Sequence, residues 1–190
     1  MYFLIFGCII FFATHLYSSF RSRQPNQDIR ARLGYVKFMA LYGLLSMLGF
    51  ILIVWGFGLA RPSPKLYTPP AWGQHVNMAL MLPALILILA AYAPRGIIKT
   101  NTKHPMVLGI ILWSLGHLLA NGETNSVILF GSFFVYGLID WFASIGRPQP
   151  IQKPNLFGDI YAVVIGCVVY YLFVKYLHVM MIGVPVIPGA

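Results

Sequence analysis

Six long apolar runs constrain what this chain can become. They cover Tyr2–Phe20, Tyr35–Ala60, His75–Ala93, Pro105–Ala120, Ser126–Ser144 and Asp159–Val179, and the connections between them are short and polar. A helix needs about 20 residues to cross the hydrocarbon core of a bilayer, and it satisfies its own backbone donors and acceptors on the way. Of the 190 residues 59% are hydrophobic and only 9% charged, whereas a soluble domain carries about 25% charged residues. The expected fold class is therefore all-α: a polytopic integral membrane helix bundle of about six transmembrane helices, read as one domain over residues 1–190. Little chain is left over for a soluble domain.

The first run lacks the basic leading segment of a signal peptide, and no small-x-small site precedes Arg21-Ser22-Arg23, so it is expected to stay as a helix. Cys8 and Cys167 sit singly in apolar runs with no CxxC or Cys/His spacing, which predicts inert, buried thiols.

A net charge of +9 would suit nucleic acid, but its distribution argues for a membrane. Arg21, Arg23, Arg30, Arg32 and Lys37 flank the first connection, Arg95, Lys99 and Lys103 the third, and Arg147 and Lys153 the fifth. The second holds Arg61 and Lys65, and the fourth holds no basic residue. By the positive-inside rule, connections one, three and five are expected in the cytoplasm and both termini outside. The partner implied is the lipid bilayer with its anionic headgroups, not nucleic acid.

Local signals fill in the connections. Arg61-Pro62-Ser63-Pro64 and Thr68-Pro69-Pro70 stiffen the second, and Asn101-Thr102 and Asn121-Gly122 mark turns. Asp159 is placed to cap the sixth helix, and Pro83 to kink the third and free a carbonyl at membrane depth. Gly116 with Ala120, and more loosely Gly43 with Ser46, predict close helix packing.

The five histidines carry most of the chemistry. Imidazole is costly in lipid, so a buried histidine needs a hydrogen bond, a metal or a haem as partner. His15 and His117 lie deep in the first and fourth runs, on helices that run in opposite directions, and Ser18 and Ser19 follow His15. Trp113 and Ser114 stand four and three residues before His117, on its helical face. His104, just before Pro105, is expected to serve as a cap or headgroup contact at the membrane border. His75 and His178 fall near the same face as the outer end of the His117 helix, so a three-histidine zinc site is an alternative. It is short of carboxylates to orient the imidazoles, since the acids are only Asp28, Glu123, Asp140 and Asp159. Asp140 is expected to make a local ion pair or snorkelling contact near Arg147. There is no HExxH, P-loop, GxGxxG or nucleophile motif, and the catalytic residues are unknown at this level.

The segment Lys103–Gly122, with His104-Pro105 and the Trp113-xxx-His117-Leu118 core, resembles the signature of the NnrU family of bacterial membrane proteins. It is also similar to the related ζ-carotene isomerases. Thr14-His15-Leu16, Gly34, Gln74-His75, Leu177-His178 and Gly183-Val184-Pro185 extend the likeness over nearly the full chain. The resemblance implies a b-type haem protein of the bacterial inner membrane, with haem b as cofactor and His15 and His117 as axial ligands to the iron. His75, or else His178, is the alternative to His15, and Trp113 and Ser114 would line the cofactor. The isomerases carry a cysteine where this chain has Ser114, and further histidines where it has Tyr136 and Gly137. NnrU proteins are associated with nitrite and nitric oxide metabolism, and so with denitrification. Two function classes follow. One is a haem-dependent isomerase or redox protein acting on a small or lipophilic substrate. The other is a non-enzymatic membrane sensor, assembly or transport factor without haem.

Overall fold

The computed structural model describes residues 1–24, 26–147 and 153–187, and among these the chain is helical with no strand. Five helices are long and apolar enough to cross a bilayer: α1 (Tyr2–Phe20), α3 (Tyr35–Leu59), α4 (Gly73–Tyr92), α7 (Thr124–Ser144) and the continuous stretch Leu156–Ile182. Helix α6 (Pro105–Ala120) is equally apolar but has 16 residues. At 1.5 Å per residue it is about 24 Å long, short of the roughly 30 Å hydrocarbon core. The six expected membrane helices are thus all present, the fourth of them shorter than the rest, with the limits Pro105–Ala120 that its apolar run set. The cause is local, because the chain leaves the helix at Asn121-Gly122, where the Gly122 carbonyl accepts the amides of Leu66 and Tyr67.

Two short helices escaped the apolar periodicity: α2 (Ile29–Leu33) and α5 (Ile97–Thr102). The last span also differs from its predicted limits. Helix α8 (Leu156–Leu172) passes through a π-helical turn at Phe173–Leu177 into α9 (His178–Ile182), which ends at Gly183 in the left-handed region. Asn155, not Asp159, caps α8 by accepting the Phe157 amide at 2.9 Å. Asp159 instead accepts the amides of Ile97 and Ile98 at 2.7 and 2.9 Å, so a residue of α8 caps the start of α5. Sequence proximity hid this bond, whose partners are about sixty residues apart. Helix α4 runs unbroken through Pro83.

The helices gather into two units. The first comprises Met1–Pro69 with Asn121–Ser144, and so holds α1, α2, α3 and α7. Its core is Leu4, Cys8, Phe12 and Ile53, and α1 approaches α3 along a seam of glycines. A Cβ at Gly7 would lie 2.6 Å from the Ile53 nitrogen, and one at Gly49 2.7 Å from the Phe11 nitrogen. At Gly56 it would fall on the backbone of Leu4. Between helices in lipid the hydrophobic effect contributes little, so such backbone-to-backbone packing carries the association. Gly43, by contrast, has nothing within 4 Å of its would-be Cβ, so the predicted close packing is not made at Gly43.

The second unit holds Pro70–Ala120 and the described residues from Ile145 on, with α4 packed against both α6 and α8. Gly109 rests on the Ala84 carbonyl and Ile88, and Gly116 on Asn77 and Met81, which fulfils the expected packing at Gly116. At the end of α4, the Lys99 ammonium donates to the carbonyls of Ala91 and Ala93 at 2.7 and 3.1 Å. A cation here complements the negative end of the helix dipole. Cys8 is buried as expected, but Cys167 is exposed, because its face of α8 is turned away from the unit's interior.

The turn between α1 and α2 has one ion pair at its centre. Asp28 pairs with Arg21 and also caps α2 by accepting the Arg30 amide at 2.9 Å. The hydrogen bond from Arg21 and the neighbouring cations hold the Asp28 carboxyl below its ordinary value. A group whose pKa is depressed on folding stabilises the fold above its unfolded value of about 4 and loses that contribution as pH falls through the lower folded value. Hydrogen exchange at the Arg30 amide is therefore expected to be slow at neutral pH and to lose protection in that acid window, after correction for intrinsic rates. In Asp28→Asn this pH dependence should vanish. An unchanged acid profile in Asp28→Asn would show that the pair does not hold the turn.

Candidate functional site

In each unit one histidine is held by its own helix in the same way. His15 Nδ1 donates to the Phe11 carbonyl at 2.7 Å, and His117 Nδ1 donates to the Trp113 carbonyl at 2.9 Å. A carbonyl only accepts, so in the neutral ring the proton is on Nδ1 and the lone pair on Nε2. This is the arrangement found in metal-ligating histidines, where a carbonyl or carboxylate fixes the tautomer and the ring orientation. In both cases the residue four positions earlier is aromatic and supplies the carbonyl.

His15 is further enclosed by rings. Phe11 stacks on it with centroids 4.0 Å apart, and Tyr42 of α3 and Tyr136 of α7 stand at 5.4 and 5.8 Å. One turn on, the Ser19 hydroxyl lies 2.5 Å from Asp140 Oδ1 and 3.0 Å from the His15 carbonyl. Its proton goes to the carboxylate, with the carbonyl as second acceptor. Asp140 is only 9% exposed and takes this hydroxyl as a partner, where the sequence had pointed to an ion pair or snorkelling contact. Tyr136 also borders an open apolar groove of about 440 Å³ between α1 and α7, lined by Phe12, Leu16, Gly131, Ser132 and Val135 among others.

His117 is half-buried on α6, with the Trp113 ring centroid 5.3 Å from its own. Ser114 is fully buried, but its hydroxyl donates to the Ile110 and Ile111 carbonyls of its own helix at 2.7 and 3.1 Å. The neighbouring Gly116 admits Asn77, whose Oδ1 is buried without a donor among the described residues. His75 is exposed near the start of α4. His178 donates from Nδ1 to the Val184 carbonyl at 2.6 Å, and Gln74 donates to the Val186 carbonyl at 3.0 Å, so the tail after α9 is tied back to its unit. Among the described residues no group of three or more His, Cys, Asp or Glu side chains could hold a metal ion. The three-histidine zinc alternative is corrected accordingly: His75, His117 and His178 form no such group. His104 is half-buried at the N-terminal border of α6, with its carbonyl accepting the Leu108 amide at 3.2 Å, as a capping residue should.

The sequence had singled out His15, His117, His75, Trp113 and Ser114, and Tyr136 only as a position where the isomerases carry histidine. It missed Phe11, Tyr42 and the Ser19–Asp140 bond. The aromatic residue four before each histidine was a readable signal for Phe11. No local pattern could announce Asp140, 121 positions from Ser19.

These long apolar helices define a polytopic α-helical membrane protein. No curated protein and no solved structure matches the chain significantly. A family model does: it is described as NnrU protein and matches residues 3–186. The chain belongs to the NnrU family.

Proposed function

We propose that this NnrU protein binds haem b in the membrane, with His15 and His117 as imidazole ligands, and serves nitrogen-oxide metabolism as a redox protein. The observation that carries the reading is the shared Nδ1–carbonyl bond, which leaves Nε2 of each neutral ring as the basic nitrogen. The donor set suits the cofactor, since neutral imidazoles are common axial ligands of haem iron, and the group when bound would supply one-electron chemistry and small-ligand binding. The chain's own part is orientation and exclusion of water. Phe11, Tyr42 and Tyr136 wall His15, and the Ser19–Asp140 bond ties α1 to α7 one turn away. Trp113 packs beside His117.

Carotene isomerisation is the weaker branch. The cysteine of the isomerases is replaced by Ser114, whose hydroxyl is spent on its own helix, and two of their histidine positions hold Tyr136 and Gly137. The test is the visible spectrum of the full chain purified in detergent from a haem-replete host. Oxidised and reduced spectra of low-spin b-type haem are expected. A well-folded, colourless preparation would overturn the proposal and favour a sensor, assembly or transport role without haem.

A further inference from the structure

We propose that the groove between α1, α2 and α3 is a binding site for one anionic phospholipid, its acyl chain inside the groove and its phosphate against Arg30 and Arg32. The groove encloses about 230 Å³ and is lined almost wholly by apolar surface, including Tyr17 of α1, Ile29 and Leu33 of α2, and Leu41, Tyr42 and Leu45 of α3. Ile29 and Leu33 are four residues apart on α2 and so share one face, which forms a wall of the groove. Arg30 and Arg32 fall outside that stripe. The short helix is thus apolar towards the groove and cationic at its rim.

Charge decides which lipid fits. Between Arg21 and Lys37 the chain has five basic side chains and one carboxylate, Asp28. That carboxylate is committed to Arg21 and to capping α2. Arg23, Arg32 and Lys37 are exposed, and among the described residues no carboxylate pairs with them. The Arg30 guanidinium lies 4.7 Å from the Tyr35 ring centroid, which holds it at the start of α3. A zwitterionic headgroup would leave this excess of charge unanswered, whereas an anionic headgroup is attracted by each Lys or Arg near it. An apolar slot ending at a cationic rim matches a molecule with an acyl tail and an anionic head. The tail would reach Tyr42, which also packs on His15.

The full chain is reconstituted in nanodiscs of phosphatidylcholine containing a minority of phosphatidylglycerol, and the lipids retained on release are counted by native mass spectrometry. Phosphatidylglycerol is expected to be retained in preference. Arg30→Gln with Arg32→Gln should lower its retention about thirtyfold while phosphatidylcholine is unaffected. Leu41→Trp, which fills the groove and leaves every charge in place, should lower it as well, and Leu45→Trp is a second filling variant should the first fold poorly. Equal retention of the two lipids overturns the proposal. So does loss in the charge variant without loss in either well-folded filling variant, because that pattern describes a diffuse basic surface and no groove site.

Discussion

Replacing His117 with alanine is expected to strip the purified chain of haem, while His104→Ala leaves the spectrum intact. His15→Ala should behave like His117→Ala. Removing even an indirect partner of a metal ligand lowers affinity by about 10- to 100-fold, so loss of the ligand itself should reduce haem occupancy by at least that much. The contrast with His104 follows from position. His104 borders α6 and its carbonyl takes part in the helix start, whereas His15 and His117 lie within helices with Nδ1 bonded to the preceding turn. Circular dichroism guards against misfolding, since none of the three imidazoles is fully buried and each variant should keep its helices. Full haem retention in His117→Ala would exclude that residue as a ligand. Retention in His15→Ala together with loss in His178→Ala would move the second ligand to the α9 position.

A large effect on stability is expected at Gly56. A side chain there would have to displace the backbone of Leu4, which cannot yield as a flexible side-chain tip can. Overpacking commonly costs about 1–3 kcal/mol, and a clash with backbone belongs at the upper end. Gly56→Leu is therefore expected to destabilise the α1–α3 pair by about 3 kcal/mol, read from unfolding in mixed detergent micelles. Gly58, two residues on, has nothing within 4 Å of its would-be Cβ. Gly58→Leu should stay within about 0.5 kcal/mol of the parent, as surface substitutions usually do. Equal stability of the two variants would mean that α1 and α3 do not meet along Gly7, Gly49 and Gly56.

The membrane-spanning helices were legible because each is a long apolar run, and composition alone forces those runs out of water. The first five were predicted to within two residues at either end. What escaped was whatever depends on distant partners or on very short elements. Helices of five and six residues, α2 and α5, are too brief for periodicity to register. Asp159 looked like the cap of its own helix and caps another, because the competing cap Asn155 begins α8 earlier. Gly49 and Gly56 could be seen as small residues seven apart, but not that α1 would lie against them.

The site was legible in part for the same reasons. His15 and His117 stand out as polar residues in apolar helices, and the carbonyl bonds they make lie within one helical turn. The surroundings of His15 come from three helices, and Tyr42, Tyr136 and Asp140 acquire their places only through packing. Exposure of Cys167 was likewise a matter of which face of α8 turns inward, and an all-apolar helix does not reveal that in its sequence.

Chemical rescue tests most directly the claim that His15 and His117 supply imidazole to haem iron. His15→Gly and His117→Gly leave space where each ring stood, and free imidazole can enter it. The account predicts that both variants lose the low-spin b-type spectrum and regain it when imidazole is added to the folded protein with haem. Low-spin haem retained by both variants before imidazole is added would contradict it, as would a folded parent chain that takes up no haem.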